Sequence, residues 1–382
     1  MSAHSLVPEF ESNAQNRPGT APERGGQADT AAPPRKQRDA FFDNAKFLAI
    51  VLVVCAHTWE PLMHSGSRAT HALYILVYSF HMPAFIVISG YFSRSFTMRP
   101  AQLKRLVTGI VVPYVVFEVA YSLADRWWGH DPDRAISVLD PWFLTWFLAS
   151  LFIWRMTTPL WRVIRMPVIV ALVVGLTVAV SPHLGGELDL YRTLEFLPFF
   201  VLGLMLKPEH FDLVRSRGAR IAAVPLLLIG LAVFYRLSPT FHESLFFRRD
   251  SMQSFGYSVR HGLALSLLLY GVSLLFCACF LALVPRRKTW FTSLGAGTLY
   301  GYLLHGFILR GALAKGWFTH HWIYTPLGEV AVTVIAAAVV TALCSAPVRR
   351  VFRCVMEPEM RWAFRQDDTP RRADVPAPTA ER

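Results

Sequence analysis

Residues 41–63 read FFDNAKFLAIVLVVCAHTWEPLM. The run is long enough to cross a hydrocarbon core as a helix, which takes about 20 residues, yet it carries Asp43, Lys46, His57 and Glu60. Ionisable groups in lipid are costly, so they mark functional sites by default. At 100° per residue, the steps from Lys46 to His57 turn through about 1100°, some 20° past three full turns, so the two side chains share a stripe roughly 16 Å long. Asp43 falls within about 40° of that stripe and Glu60 within about 60° of His57. Lys46 is expected at the cytoplasmic mouth and His57 beyond the midplane. Asp43 also suits the helix start, where a carboxylate meets the positive end of the helix dipole.

The rest of the chain repeats this apolar character. Of its 382 residues 53% are hydrophobic and 17% charged, with a mean hydropathy of +0.36, which argues against a water-soluble globule. An aromatic content of 13% argues against a disordered or coiled-coil chain. Apolar runs near 44–63, 70–92, 104–125, 142–160, 166–182, 191–207, 219–237, 259–284, 291–312 and 325–347 predict an all-α, polytopic membrane bundle of about ten transmembrane helices. Two of these, 166–182 and 191–207, are short and suit re-entrant segments equally well. Residues 1–38 are rich in Pro, Ala, Gly, Gln and Arg and lack a signal-type apolar run; they are expected to form a disordered cytoplasmic tail. The membrane domain then spans 39–350, and 351–382 form a polar cytoplasmic tail broken by Pro358, Pro370, Pro376 and Pro378.

The net charge of +12 does not point to nucleic acid, because no compact basic domain remains to hold it. Lys and Arg instead gather between apolar runs, as at Arg94, Arg99, Lys104 and Arg105, or Arg286, Arg287 and Lys288. Basic residues concentrate on the cytoplasmic side, so the pattern predicts a multi-pass cell-membrane protein with both termini cytoplasmic. The five cysteines lie in or beside apolar runs and do not resemble a disulfide framework. No Cys/His spacing resembles a zinc site, and no metal is expected.

The second span, ILVYSFHMPAFIVISGYFSRS, places His81 ahead of Pro83 and Ser89-Gly90 near its cytoplasmic end. Pro83 should free the carbonyl of Ser79. His57 and His81, in consecutive antiparallel spans, can face one polar cavity. Glu118 and Glu195 are further intramembrane carboxylates, the latter with Arg192 one turn away as a structural partner. Trp142 and Trp146 fit an aromatic belt or a platform for a sugar ring, and His320-His321 read as a surface pair.

Together, FFDNAKFLAIVLVVCAHTW and FHMPAFIVISGYF closely resemble the opening of the acyltransferase 3 family of integral-membrane O-acyltransferases, in the form of its fucose 4-O-acetylase-like branch. The basic residue followed by ten residues and His matches Lys46 and His57, and the second motif matches Phe80, Met82, Pro83, Phe85, Ser89, Gly90, Tyr91 and Phe92. Weaker echoes follow in KRLVTGIVVPY, WFLTWFLASLFIWR, EFLPFFVLGL and SLGAGTLYGYLLH, the last ending at His305. The resemblance implies transfer of an acyl group, usually acetyl, from acyl-CoA to a hydroxyl of a carbohydrate, glycolipid or glycosylated small molecule. Acetyl-CoA is then a co-substrate, and no tightly bound cofactor is expected.

On that implication His57, Lys46, Asp43 and His81 form the catalytic set, with a neutral His57 as general base. Arg94, Arg99, Lys104 and Arg105 would hold the CoA phosphates. Ser89, Gly90, Glu118, Trp142, Trp146 and His305 would contact substrate. The competing reading is a proton-coupled transporter or exporter, with Lys46, His57, His81 and Glu118 as a proton relay. Binding of CoA separates the two. The lack of matching Gly/Pro-broken helices in two halves weakens the transporter.

Overall fold

A computed structural model describes residues 39–65, 67–128, 132–182, 184 and 186–365. The expected N-terminal tail, 1–38, and the end of the C-terminal tail, 366–382, lie outside the described residues.

Backbone polar groups have no water partners in hydrocarbon, so a helix that satisfies them internally is the economical solution for long apolar runs. The described residues are accordingly helical, with no strand among them. In chain order the helices are α1 (Ala40–Trp59), α2 (Arg68–Ser93), α3 (Pro100–Trp127), α4 (Trp146–Val163), α5 (Pro167–Ala179), α6 (Leu190–Glu195), α7 (Leu197–Met205), α8 (Pro208–Val214), α9 (Arg217–Leu237), α10 (Val259–Leu283), α11 (Thr298–Ala314), α12 (Pro326–Leu343) and α13 (Ala346–Met356). Six of them, α1, α2, α3, α9, α10 and α12, are long and apolar enough to cross a membrane.

The other four expected spans are shorter or more polar. The helix at 146–163 contains Arg155, Pro159 and Arg162, α5 has 13 residues, and α11 has 17. The run at 191–207 is broken between α6 and α7, where Pro198 occupies the first turn of α7 and has no N–H to continue the hydrogen-bond ladder back to Leu194. The expected domain boundary at 350 falls inside α13. Beyond that helix, Glu357 accepts a hydrogen bond from the Tyr300 hydroxyl at 3.3 Å, and Phe364 lies against the Lys104 ammonium.

Helix α2 forms the centre, packed against α1, α7, α9 and α10, and most of it is buried. Its closest crossing is with α7. A Cβ on Gly90 would lie 2.1 Å from the Phe200 carbonyl oxygen, and one on Gly203 would lie 2.2 Å from that of Val87. Paired small residues let the two backbones touch. The start of α1 is tied to the segment before α11 by Asn44, whose amide donates to Pro285 and Arg287 carbonyls and accepts from the Thr289 and Thr292 hydroxyls. Its hydrogen-bonding capacity is filled by structure.

Helix α3 contains a π-turn over Val107–Val111, where the Val112 N–H reaches back to the Val107 carbonyl. Pro113 follows at once and cannot donate to the carbonyl of Gly109, so the widened turn sits where the ordinary ladder is interrupted.

Candidate active site

From α1, Val53, His57 and Glu60 face the same direction, as their i, i+4, i+7 spacing requires. From α2, Tyr78, His81 and Met82 do so by the same rule. These residues line a cavity of about 830 Å³, closed by the 134–146 segment, by Asp189, Arg192 and Phe196, by Phe246, Phe247 and Arg249, and by Tyr302, Leu309 and Arg310 of α11. The cavity thus sits at the end of the bundle where α1 finishes.

Two histidines, His57 and His81, line it, and a third, His305, packs behind His57. The His57 and His305 rings meet edge to face with centroids 5.4 Å apart, and the Tyr78 ring stands between His57, at 6.2 Å, and His81, at 4.7 Å. His81 Nδ1 lies 2.8 Å from the Val77 carbonyl and His305 Nδ1 lies 3.0 Å from that of Gly301. A carbonyl only accepts, so both rings carry their proton on Nδ1 and their lone pair on Nε2. His57 differs: its Nδ1 is buried without a hydrogen-bond partner in the protein. Its ring is held by packing against Phe143, Tyr78 and His305.

Glu118 lies behind this wall. Its carboxylate accepts from the Trp142 N–H at 2.8 Å and the Thr145 hydroxyl at 2.5 Å. That clamp holds Phe143, which has a left-handed φ of 55°, against His57; strain of this kind persists only where the surroundings over-determine it. Tyr114, Glu118, Tyr121 and Asp125 recur along one face of α3 and pin Val138, Trp142, Leu303 and Arg310 respectively. Expected at the substrate, Glu118 instead spends its hydrogen bonds on the loop behind the cavity.

The cavity's cations are largely engaged. Arg192 pairs with Asp189 at 2.9 Å, Arg310 pairs with Asp125, and Arg134 lies 3.8 Å from Asp140. Arg192 is therefore not the partner of Glu195, which pairs with buried Arg248 at 3.2 Å. Trp142 has the Arg134 guanidinium 3.4 Å above its ring centroid and that of Arg310 at 5.6 Å. Trp146 lies stacked with Phe196 and close to Arg192. Both indoles thus stand in the cavity wall beside arginines rather than in a lipid-facing belt.

Other expected site residues lie elsewhere. Lys46 forms an ion pair with Asp43 at 2.8 Å, and neither lines the cavity. Ser89 gives its carbonyl to the Ser93 hydroxyl at 2.7 Å, and Gly90 serves the α2–α7 crossing. Arg94 donates to the Tyr91 and Leu206 carbonyls. By contrast, Arg99, Lys104 and Arg105 form no ion pair among the described residues. No group of His, Cys, Asp and Glu among the described residues could hold a metal ion.

The sequence does not single out Tyr78, Tyr302, Phe143, Arg134 or Arg310 as cavity residues, and it gives Arg192 only as a partner for Glu195. One signal for the tyrosines was present: YSFH at 78–81 and YLLH at 302–305 each place a tyrosine one turn before a histidine.

A family model described as an acyltransferase domain matches residues 39–348. Nodulation protein NolL of Mesorhizobium japonicum is 39% identical over 64 residues, which is 16% of this chain and 17% of that protein. The matched stretch thus spans about a sixth of that relative's length. No solved structure matches the chain. With a family model covering most of the chain, and six helices fit to cross a bilayer, the protein belongs to the acyltransferase 3 family.

Proposed function

We propose that the protein is a multi-pass membrane O-acyltransferase, with ten crossings and cytoplasmic termini, that moves acetyl from acetyl-CoA to a hydroxyl of a carbohydrate or glycolipid. The reading includes the fucose 4-O-acetylase-like form of the opening motifs. The observation that carries it is His57: a histidine on the wall of a large polar cavity, with Nδ1 unbonded to protein, in a chain of this family.

His57 takes the proton of the acceptor hydroxyl as that oxygen attacks the thioester carbonyl. The carbon–sulfur bond then breaks, and the thiolate leaves with the proton returned from the imidazolium. The products are the acceptor ester and CoA, and the base contributes about 10²–10⁴-fold. Arg99, Lys104 and Arg105, unspent on protein carboxylates, suit the CoA phosphates. Lys46, already neutralised by Asp43, suits them less.

The test is transfer of radiolabel from acetyl-CoA in inverted vesicles carrying the wild type or His57→Ala, with label followed into carbohydrate and lipid fractions. Label that depends on His57 is the expected result. Substantial transfer by His57→Ala would move the base to His81 or His305. No transfer and no CoA binding by the wild type would bring an exporter forward.

A further inference from the structure

A second cavity, of about 380 Å³, lies behind the first, walled by Val54 and Thr58 of α1, by His305 and Ile308 of α11, and by Ile335 and Val339 of α12. Its polar side chains are few, and Thr58 donates its hydroxyl to the Cys55 carbonyl at 2.8 Å, which leaves an apolar lining. Ile308 and Ile335 are 44% and 56% exposed, so the crevice opens sideways on the bundle. The helix that forms its outer wall, α12, is apolar and little buried, the character of a lipid-facing helix.

The position of this crevice is what distinguishes it from an ordinary apolar groove. Val53 and His57 face the polar cavity, whereas Val54 and Thr58, one residue on in each case, face the crevice. Leu309 lines both. His305 forms the crevice wall, is 2% exposed, and has an Nε2 without a hydrogen-bond partner; its ring meets that of His57. A polar chamber and an apolar one therefore stand on two sides of one His57–His305–Leu309 partition.

Resting on the acyltransfer reading, the geometry points to an amphiphilic acceptor: its hydrocarbon chain occupies the α11–α12 crevice, and its hydroxyl-bearing head enters the polar cavity at His57. A lipid-linked acceptor diffusing in the bilayer meets the lateral opening directly. A free sugar has no use for a dry chamber beside the base, and an acetyl group is too short to fill one.

Purified protein in phosphatidylcholine nanodiscs tests this with dodecyl β-glucoside carrying a diazirine at the chain end. The expected result is cross-linking to Ile308, Ile335 and Val339, competed by unlabelled dodecyl glucoside and not by palmitoyl-CoA. Competition by palmitoyl-CoA instead would assign the crevice to the donor's acyl chain and overturn the proposal. Labelling that neither competitor displaces would assign it to bulk lipid, with the same consequence.

Acetyl transfer is measured separately. Dodecyl glucoside should be used at least about tenfold more efficiently than methyl glucoside, and Val339→Phe or Ile335→Trp should erase that preference while leaving the KM for acetyl-CoA unchanged. Equal use of both glycosides, unaffected by either variant, would overturn the proposal. Absence of transfer to any glycoside with competed cross-linking intact would count against the acyltransfer reading alone.

Discussion

The two ends of the bundle use their cations differently. Around the cavity, Arg134, Arg192 and Arg310 lie against aromatic rings and beside carboxylates, and Arg248, buried outside the lining, is paired with Glu195 in the same way. At the opposite end, Arg99, Lys104 and Arg105 have no carboxylate partner among the described residues, and Arg99 and Arg105 are exposed. Cations that pair internally build walls. Cations left unpaired are available to an incoming polyanion. The contrast separates a region whose charges shape a chamber from one whose charges can bind.

Loss of the base is the sharpest way to test the chamber, since His57→Ala removes about 10²–10⁴-fold in rate with the fold intact; a monodisperse, normally expressed protein distinguishes this from unfolding. Next is Arg248→Leu, which strands Glu195 as a buried charge and should cost about 3–5 kcal/mol, read as a lowered unfolding midpoint in detergent. The double variant Arg248→Leu/Glu195→Leu should recover most of it. A single variant as stable as wild type would show that Glu195 does not depend on Arg248 for its burial.

At the other end, Lys104→Ala/Arg105→Ala should raise the KM for acetyl-CoA about tenfold with kcat nearly unchanged. Lys46→Ala should move it by about threefold or less, because the ammonium is already committed to Asp43. A larger effect from Lys46 than from the double variant would place the CoA phosphates at the mouth of α1 and erase the proposed division.

Hydropathy made the long helices legible, because an apolar run of twenty residues has few alternatives. It could not show that 191–207 divides at Phe196, since the cause is a single proline two residues later. His57 and His81 stood out as ionisable groups in apolar surroundings. The arginines of the cavity did not, because an arginine in a loop reads equally well as a topological marker, and only tertiary structure brings Arg134, Arg192 and Arg310 to one chamber. Gly90 shows the reverse error: a motif glycine beside a serine suggests substrate contact, whereas its lack of a side chain is needed where α7 touches α2.

The π-turn in α3 has a consequence for the register of everything after it. Each residue inserted into a helix rotates the downstream face by about 100°, so the widened turn at Val107–Val111 sets the azimuth at which Tyr114, Glu118, Tyr121 and Asp125 emerge. Those four hold Val138, Trp142, Leu303 and Arg310. Deleting one residue from the turn would restore a regular helix and swing this whole stripe away from the elements it grips. The 134–146 loop would lose its anchors together, which makes one extra residue in the third helix an alignment pin for a chamber that it never touches.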